Sequence, residues 1–336
     1  MSTYQAWQVS ESGGGDGGKA SYVGSETRLD LDDLPFGDGG TLIEVTHSSL
    51  NYKDALSAAG NKGVTKKYPH TPGIDAAGVV AGTKEPVIVT GYDLGMNTNG
   101  GFGTMIRVPS KWIVDMPPNW NSETAMVYGT AGLTAGLCVQ KLLKMGASPS
   151  SGPVAVTGAT GAVGSVAVEI LSKLGFDVTA VSGKPDKKSY LEDLGASQVV
   201  GREVLEETKK PLVKPVFANA VDTVGGTPLA TLLKHIQPGG SVACCGLVAG
   251  FQLDTTVMPF ILRGVNLLGV DSVEIPASNK KEVWDKLASD WSCPKTEASV
   301  RTIGRHELDS HLKAFLSGQS YGKIVLDHSL TPSSNL

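Results

Sequence analysis

Between Val154 and Ser165 the chain reads Val-Ala-Val-Thr-Gly-Ala-Thr-Gly-Ala-Val-Gly-Ser, a short β-prone apolar run broken by Gly158, Gly161 and Gly164. An apolar stretch of helical character, 166–174, follows it. In a βαβ unit the first glycine of such a triplet permits the tight turn out of the strand, and the second lets a pyrophosphate approach the backbone. The third lets the helix pack closely on the sheet, and the helix N-terminus offers unpaired N–H groups to the phosphates. Glycine makes up 42 of the 336 residues, so the triplet alone says little. The strand before it and the helix after it favour a dinucleotide-binding turn over a plain glycine-rich βα turn.

The second strand of that unit bears on the cofactor. Chains that prefer NAD carry Asp or Glu at its tip, roughly 20 residues past the glycines, to bond the ribose 2′-OH. Here the strand reads Phe176-Asp177-Val178-Thr179-Ala180-Val181 and ends in Ser182-Gly183-Lys184. A hydroxyl and an ammonium suit the added negative charge of a 2′-phosphate, and Asp177 stands at the wrong end of the strand. The expectation is NADP(H), with Lys184 as one more solvated lysine the plain alternative. Arg202, after the apolar 198–200 strand, either reaches the same phosphate or caps a surface turn.

The remaining composition narrows the class. Hydrophobic residues at 40% and charged residues at 18% describe a globular chain with a sizeable core. A net charge of −4, with both signs interspersed, provides no footprint for nucleic acid or an anionic membrane. No apolar run is long enough to span a bilayer, and residues 1–10 lack a secretory pattern. Cys138, Cys244, Cys245 and Cys293 form no metal-type spacing, so reduced, buried thiols in a cytoplasmic protein are expected.

Along the chain, short strands dominate the first part: 42–50, 76–80, 87–90, 105–108 and 112–115, with a short helix at 52–59 and a hairpin or loop at Gly13–Gly18. A helical pattern begins at 131–143. Strands and helices then alternate at 154–157, 166–174, 178–181, 187–194, 220–222, 228–235, 241–245 and 267–270, the pattern of a parallel doubly wound sheet. Helices at 280–291 and 307–317 and a strand at 323–326 close the chain. The expected fold is α/β, with a dinucleotide-binding domain at 125–276 inserted in a β-rich domain formed by 1–124 and 277–336.

Several segments together resemble the medium-chain dehydrogenase/reductase superfamily, and within it the zinc-free acrylyl-CoA reductase branch, often labelled quinone oxidoreductase. They are Ser48-Ser49-Leu50-Asn51-Tyr52-Lys53-Asp54-Ala55-Leu56, Pro72-Gly73-Ile74-Asp75, Gly129-Thr130-Ala131-Gly132-Leu133-Thr134-Ala135 and the glycine run itself. Val181-Ser182-Gly183-Lys184, Val221-Asp222-Thr223-Val224-Gly225, 258–265 and 269–273 complete the set. The resemblance implies a Rossmann domain inserted in a GroES-like catalytic domain, and a homodimer that uses the strand edge near 267–270. Zinc-dependent relatives carry Cys where Asn51 stands and a His-Glu pair where Ile74-Asp75 stands. A catalytic zinc needs three protein ligands, which Asn51 and Ile74 cannot supply. Two departures stand out: the segment after Val80 is short for the family, and Gly318 replaces an Asn that relatives place close to the cofactor.

The activity implied is NADPH-dependent reduction of acrylyl-CoA to propionyl-CoA without metal, the alternative being reduction of quinones or α,β-unsaturated carbonyls. A dinucleotide-binding protein with a structural or regulatory role is the reading from a different class. The resemblance places Thr160, Gly161, Ala162 and Val163 at the pyrophosphate and Ser182, Gly183 and Lys184 at the 2′-phosphate. It puts Arg202 at the adenosine end and Leu247, Ile261 and Ser272 along the cofactor, although Leu247 and Ile261 by themselves read as core. Tyr52 is the polar candidate for chemistry beside the nicotinamide, or else an aromatic anchor for its helix. Asp54 caps or orients its neighbours, and the proton comes from a side chain or from water. Arg263 suits either a coenzyme A phosphate or an internal carboxylate.

Overall fold

The computed structural model describes residues 2–13 and 20–331, the side chain of Asp38 excepted. Residues 14–18 of the expected Gly13–Gly18 hairpin or loop lie outside them. In chain order the elements are β1 (Thr3–Ser12), β2 (Ser21–Asp30), β3 (Thr41–Ser49), α1 (Tyr52–Ala58), β4 (Asp75–Val80), β5 (Pro86–Thr90), β6 (Met105–Val108), β7 (Ile113–Asp115) and α2 (Ser122–Lys144). Then come β8 (Val154–Thr157), α3 (Ala162–Lys173), β9 (Val178–Val181), α4 (Lys188–Leu194), β10 (Gln198–Val200), β11 (Phe217–Asp222), α5 (Gly226–His235), β12 (Ile236–Cys244), α6 (Met258–Arg263) and β13 (Asn266–Gly269). The chain closes with α7 (Ala277–Leu287), α8 (Pro294–Ala298), β14 (Arg301–Ile303), α9 (Leu308–Leu316) and β15 (Ile324–Asp327).

The chain divides into two compact units. Met1–Thr130, Val273–Ala288 and Ser299–Leu336 form the first, and Ala131–Ser272 with Ser289–Ala298 the second. Residues 125–130 and 273–276 thus go with the first unit, and 289–298 with the second, unlike the sequence-based bounds. Each shift has a local cause. Glu169 of α3 accepts hydrogen bonds from Lys295 N (2.9 Å) and from Thr296 N (2.8 Å) and Oγ1 (2.6 Å), which ties α8 to the second unit. At the other boundary, α2 breaks at Gly129 (φ +47, ψ −152), and Thr130 turns its N–H toward Asp75.

The first unit carries a seven-stranded sheet ordered β14-β15-β3-β4-β5-β7, with β6 paired on β3, and a separate antiparallel β1–β2 pair. Its strands pair antiparallel except β14 with β15. One core lies where Leu50 and Ala55 pack with Phe102, Leu308, Leu312 and Leu326, so α1, α9 and β15 share a single apolar cluster.

The second unit holds a six-stranded, wholly parallel sheet ordered β10-β9-β8-β11-β12-β13. Counted within the unit that is 3-2-1-4-5-6, the doubly wound order of dinucleotide-binding domains. The order reverses between β8 and β11, and a crevice at the carboxyl ends of those strands is where such sheets bind ligands. β8, β9 and β11 are buried along their whole length, as parallel strands covered on both faces must be.

Several boundaries differ from the sequence reading. α3 begins at Ala162, because the small residues 162–165 are helical without adding apolar periodicity. α7 ends at Leu287, and Trp291, which suggested a longer helix, is buried outside it. α6 and α8 are too short to leave a periodic signal. No helix of the described residues is long and apolar enough to cross a membrane.

Gly164 fixes how closely α3 approaches the turn after β8. A Cβ on it would lie 2.4 Å from Gly158 O and 2.7 Å from Ala159 Cα, both backbone atoms that cannot rotate away. Gly164→Ala therefore has to push α3 off the sheet, at a cost of about 1–3 kcal/mol by the scale of overpacked cores. Thermal or urea unfolding is expected to show that loss together with weaker dinucleotide binding; full stability with full binding would contradict the packing described.

Candidate functional site

The carboxyl ends of β8 and β11 are held by one buried carboxylate. Asp222 accepts from Thr157 Oγ1 (2.7 Å) and from Gly225 N (2.8 Å). Thr157 Oγ1 in turn accepts from Thr223 N (3.0 Å), and Thr223 Oγ1 donates to Thr157 O (2.8 Å). Burial pushes the Asp222 carboxyl above its ordinary range, and the Thr157 and Gly225 hydrogen bonds oppose that shift. Gly158 sits at φ +59 beside this lock, where a Cβ would meet Thr223 Oγ1 at 2.4 Å. Gly161 caps α3 in extended conformation. The result is an open helix N-terminus behind a turn of Thr160, Gly161, Ala162 and Val163, built to accept an anion. In the sequence Asp222 belonged to a matching segment without a role; it is the clamp of the turn.

At the tip of β9, Ser182 Oγ lies 3.4 Å from Thr160 Oγ1 and accepts Lys184 N at 3.1 Å. The Arg202 guanidinium covers Gly183 so closely that a Cβ there would stand 2.0 Å from its Nε. Burial, and after it the Arg202 charge, holds the Lys184 ammonium below its ordinary range. Two cations therefore converge at this tip, and an anion there relieves their repulsion. Asp177 is exposed and precedes β9.

The later positions separate. Ser272 is buried and accepts Thr134 Oγ1 at 2.8 Å. Leu247 and Ile261 are 61% and 71% exposed, so their reading as core is corrected. The physical reason is placement: Leu247 follows β12 in a loop, and Ile261 sits on α6, a helix with only Pro259 buried. Arg263 pairs with no carboxylate among the described residues; it donates to the Lys234 (2.8 Å), Ile236 (3.3 Å) and Val213 (2.5 Å) carbonyls. Gly318 stands past α9 at φ +71, a left-handed position that Gly and Asn both tolerate. No disulfide joins the four cysteines; Cys138 and Cys293 are buried, but Cys244 and Cys245 are only half-buried, a correction to the expected burial, because they stand at the carboxyl end of β12 and just past it.

Tyr52 belongs to the first unit, as the first residue of α1, and is half-buried. Its hydroxyl makes no hydrogen bond among the described residues. Around it lies a buried polar cluster. Asp75 Oδ2 accepts from Ser49 Oγ, from Asn51 Nδ2 (2.9 Å) and from Thr130 N (2.9 Å), and Thr130 Oγ1 donates to Oδ1. Asp54 accepts Asn51 N at 2.8 Å through Oδ2, and Gly73 N and Ile74 N at 3.2 and 2.9 Å through Oδ1. The zinc of related dehydrogenases does not fit this donor set. Positions 51 and 75 are bonded to each other, Ile74 offers no donor atom, and Asp75 is committed to its own donors.

Burial, reinforced by the Asp75 charge, raises the Asp54 pKa to about 7. Burial lowers that of Lys323 to about 8, against the pull of Asp75 and Asp54. For Asp54 the folded state binds the proton more tightly than the unfolded state. Stability is then fully present below the unfolded pKa of 3.8 and declines as pH rises toward 7. Asp54→Asn should flatten that decline, measured as urea midpoints between pH 4 and 7.5; an unchanged slope would place the proton elsewhere.

Two family models match the chain: Alcohol dehydrogenase GroES-like domain over residues 37–118 and Zinc-binding dehydrogenase over 162–289. Acrylyl-CoA reductase AcuI of Ruegeria pomeroyi is 42% identical over 89% of this chain and 93% of its own. YhfP of Bacillus subtilis, with a provisional quinone-oxidoreductase label, is 43% identical over 89% of this chain and 92% of its own. Its structure with NAD bound superposes at a TM-score of 0.90, covering 97% of this chain and 100% of that one. The yhdH oxidoreductase of Salmonella enterica, solved with NADP, has a TM-score of 0.91 at 39% identity, covering 96% and 99%. With Asn51 and Ile74 at the metal positions, the chain belongs to the zinc-free branch of the medium-chain dehydrogenase/reductase family.

Proposed function

We propose that this chain is an NADPH-dependent oxidoreductase that reduces the activated double bond of acrylyl-CoA to give propionyl-CoA. The end-to-end likeness to the Ruegeria acrylyl-CoA reductase carries the substrate assignment. The converging Lys184 and Arg202 cations, with no carboxylate at the β9 tip, support NADPH over NADH.

The cofactor supplies the hydride for the β-carbon of the thioester. Thr160, Gly161, Ala162 and Val163 receive the pyrophosphate at the α3 N-terminus, Ser182, Gly183, Lys184 and Arg202 the 2′-phosphate end, and Leu247, Ile261 and Ser272 line the cofactor. The Tyr52 hydroxyl, uncommitted among the described residues, donates to the enolate oxygen as charge develops on it. Asn51 cannot share that role, since its amide hydrogens go to Asp75 Oδ2 and Ser49 O. The α-carbon proton then comes from Tyr52 or from water.

The same reading includes a cytoplasmic homodimer. Free thiols suit a reducing compartment. β13 is an edge strand, and the segment before it exposes Val248, Phe251, Val257 and Leu262, apolar side chains that a second copy would cover.

A panel of acrylyl-CoA, acrylate and a quinone, each with NADPH and NADH, tests the activity. Fastest loss of NADPH with the thioester is expected; faster loss with the quinone would favour the second reading, supported by the YhfP label. Lys184→Ala should raise the NADPH Kd about 10-fold to 100-fold, the worth of a charge-assisted hydrogen bond. Affinity for NADH should hardly change, and equal losses would refute the 2′-phosphate role. Tyr52→Phe should lower kcat about 100-fold while sparing cofactor affinity, as loss of one oxyanion donor does; unchanged turnover would make Tyr52 a packing residue.

A further inference from the structure

Asp75 is wholly buried at the start of β4, and its donors come from three elements. Ser49 ends β3, Asn51 caps α1, and Thr130 follows the break in α2. Only Leu50 and Asn51 separate β3 from Tyr52, and both are anchored: Leu50 N donates to Ile324 O at 3.0 Å, and Asn51 N to Asp54 Oδ2 at 2.8 Å. The Asn51 amide spends its hydrogens on Asp75 Oδ2 at 2.9 Å and Ser49 O at 3.2 Å. α2 reaches the carboxylate only because residue 129 is glycine: a Cβ there would stand 2.6 Å from Asp75 Oδ2 and from Ser49 Oγ.

A cation completes the arrangement. Lys323 is 1% exposed, and its ammonium has no hydrogen-bond partner among the described residues. Burial disfavours that charge, and the Asp75 carboxylate, joined by Asp54 once it ionises, favours it.

We propose that Asp75 is a positioning residue: its carboxylate, with Lys323 as counter-charge, holds Asn51 and through it the first turn of α1, fixing where the Tyr52 hydroxyl points. The hydrogen-bonded carboxylate thereby gives this region the rigidity that a metal and its ligands give in zinc-dependent relatives. This deepens the function proposed above and rests on its assignment of Tyr52.

Asp75→Asn preserves shape but turns one acceptor into a donor that faces other donors. It should lower kcat about 100-fold, the loss a misplaced reacting group of about 1 Å produces. The KM and Kd for NADPH should stay within about twofold, because this residue acts on geometry and not on cofactor affinity. Thr130→Val, a milder change that keeps the N–H bond, should lower kcat about fivefold to tenfold. Each variant combined with Tyr52→Phe should be no slower than the slower single variant, since both changes disable one group. Melting temperatures falling while kcat holds, or losses that multiply in the double variants, would overturn the proposal. If Asp75→Asn fails to fold, Thr130→Val alone and with Tyr52→Phe decides. Should the wild type prefer the quinone to the thioester, the substrate assignment fails, and the same kcat comparison on the quinone still decides the role of Asp75.

Discussion

A backbone contact with no room for a side chain governs the nucleotide-binding unit. α3 lies against the turn after β8 so closely that any Cβ at residue 164 would strike Gly158 O. That closeness brings the α3 N-terminus up to the carboxyl ends of the strands at the reversal of strand order, the place where helix N-termini of doubly wound sheets offer N–H groups to phosphates. The Asp222 lock among Thr157, Thr223 and Gly225 keeps the two central strand ends from parting. The β9 tip then adds Lys184 and Arg202, whose mutual repulsion an anion relieves.

The first unit solves a different problem, the burial of ionisable groups. Asp54, Asp75 and Lys323 all lie out of water, and each is tolerated for a separate reason. Asp54 accepts three backbone N–H groups, Asp75 accepts from hydroxyl, amide and backbone donors, and Lys323 sits in the field of both. Such a cluster specifies one arrangement, because moving any member strands another without a partner. α1 starts inside it, so Tyr52 inherits its rigidity.

Much of this was legible in the sequence. Alternating strands and helices from 154 onward announced the doubly wound sheet, and the glycine spacing located its turn. Asn51 and Ile74 showed that the family's zinc positions lack metal donors. Other features were hidden for physical reasons. Leu247 and Ile261 look like core residues in a linear chain, and only the shortness of α6 and the loop after β12 expose them. The role of Asp75 depends on donors 26, 24 and 55 residues away, a convergence no local pattern records. Lys323, between Gly322 and Ile324, reads as an ordinary strand-end lysine until its burial is seen.

These features describe a reductase in which a dinucleotide donates hydride to one end of a polarised alkene and a proton reaches the other. Isotope transfer tests that claim most directly. With NADPH deuterated at both C4 positions and acrylyl-CoA in ordinary water, propionyl-CoA should carry one deuterium on its β-carbon and none on its α-carbon. NADPH in deuterium oxide should reverse the pattern. Deuterium from the cofactor at the α-carbon, or none in the product, would contradict the account.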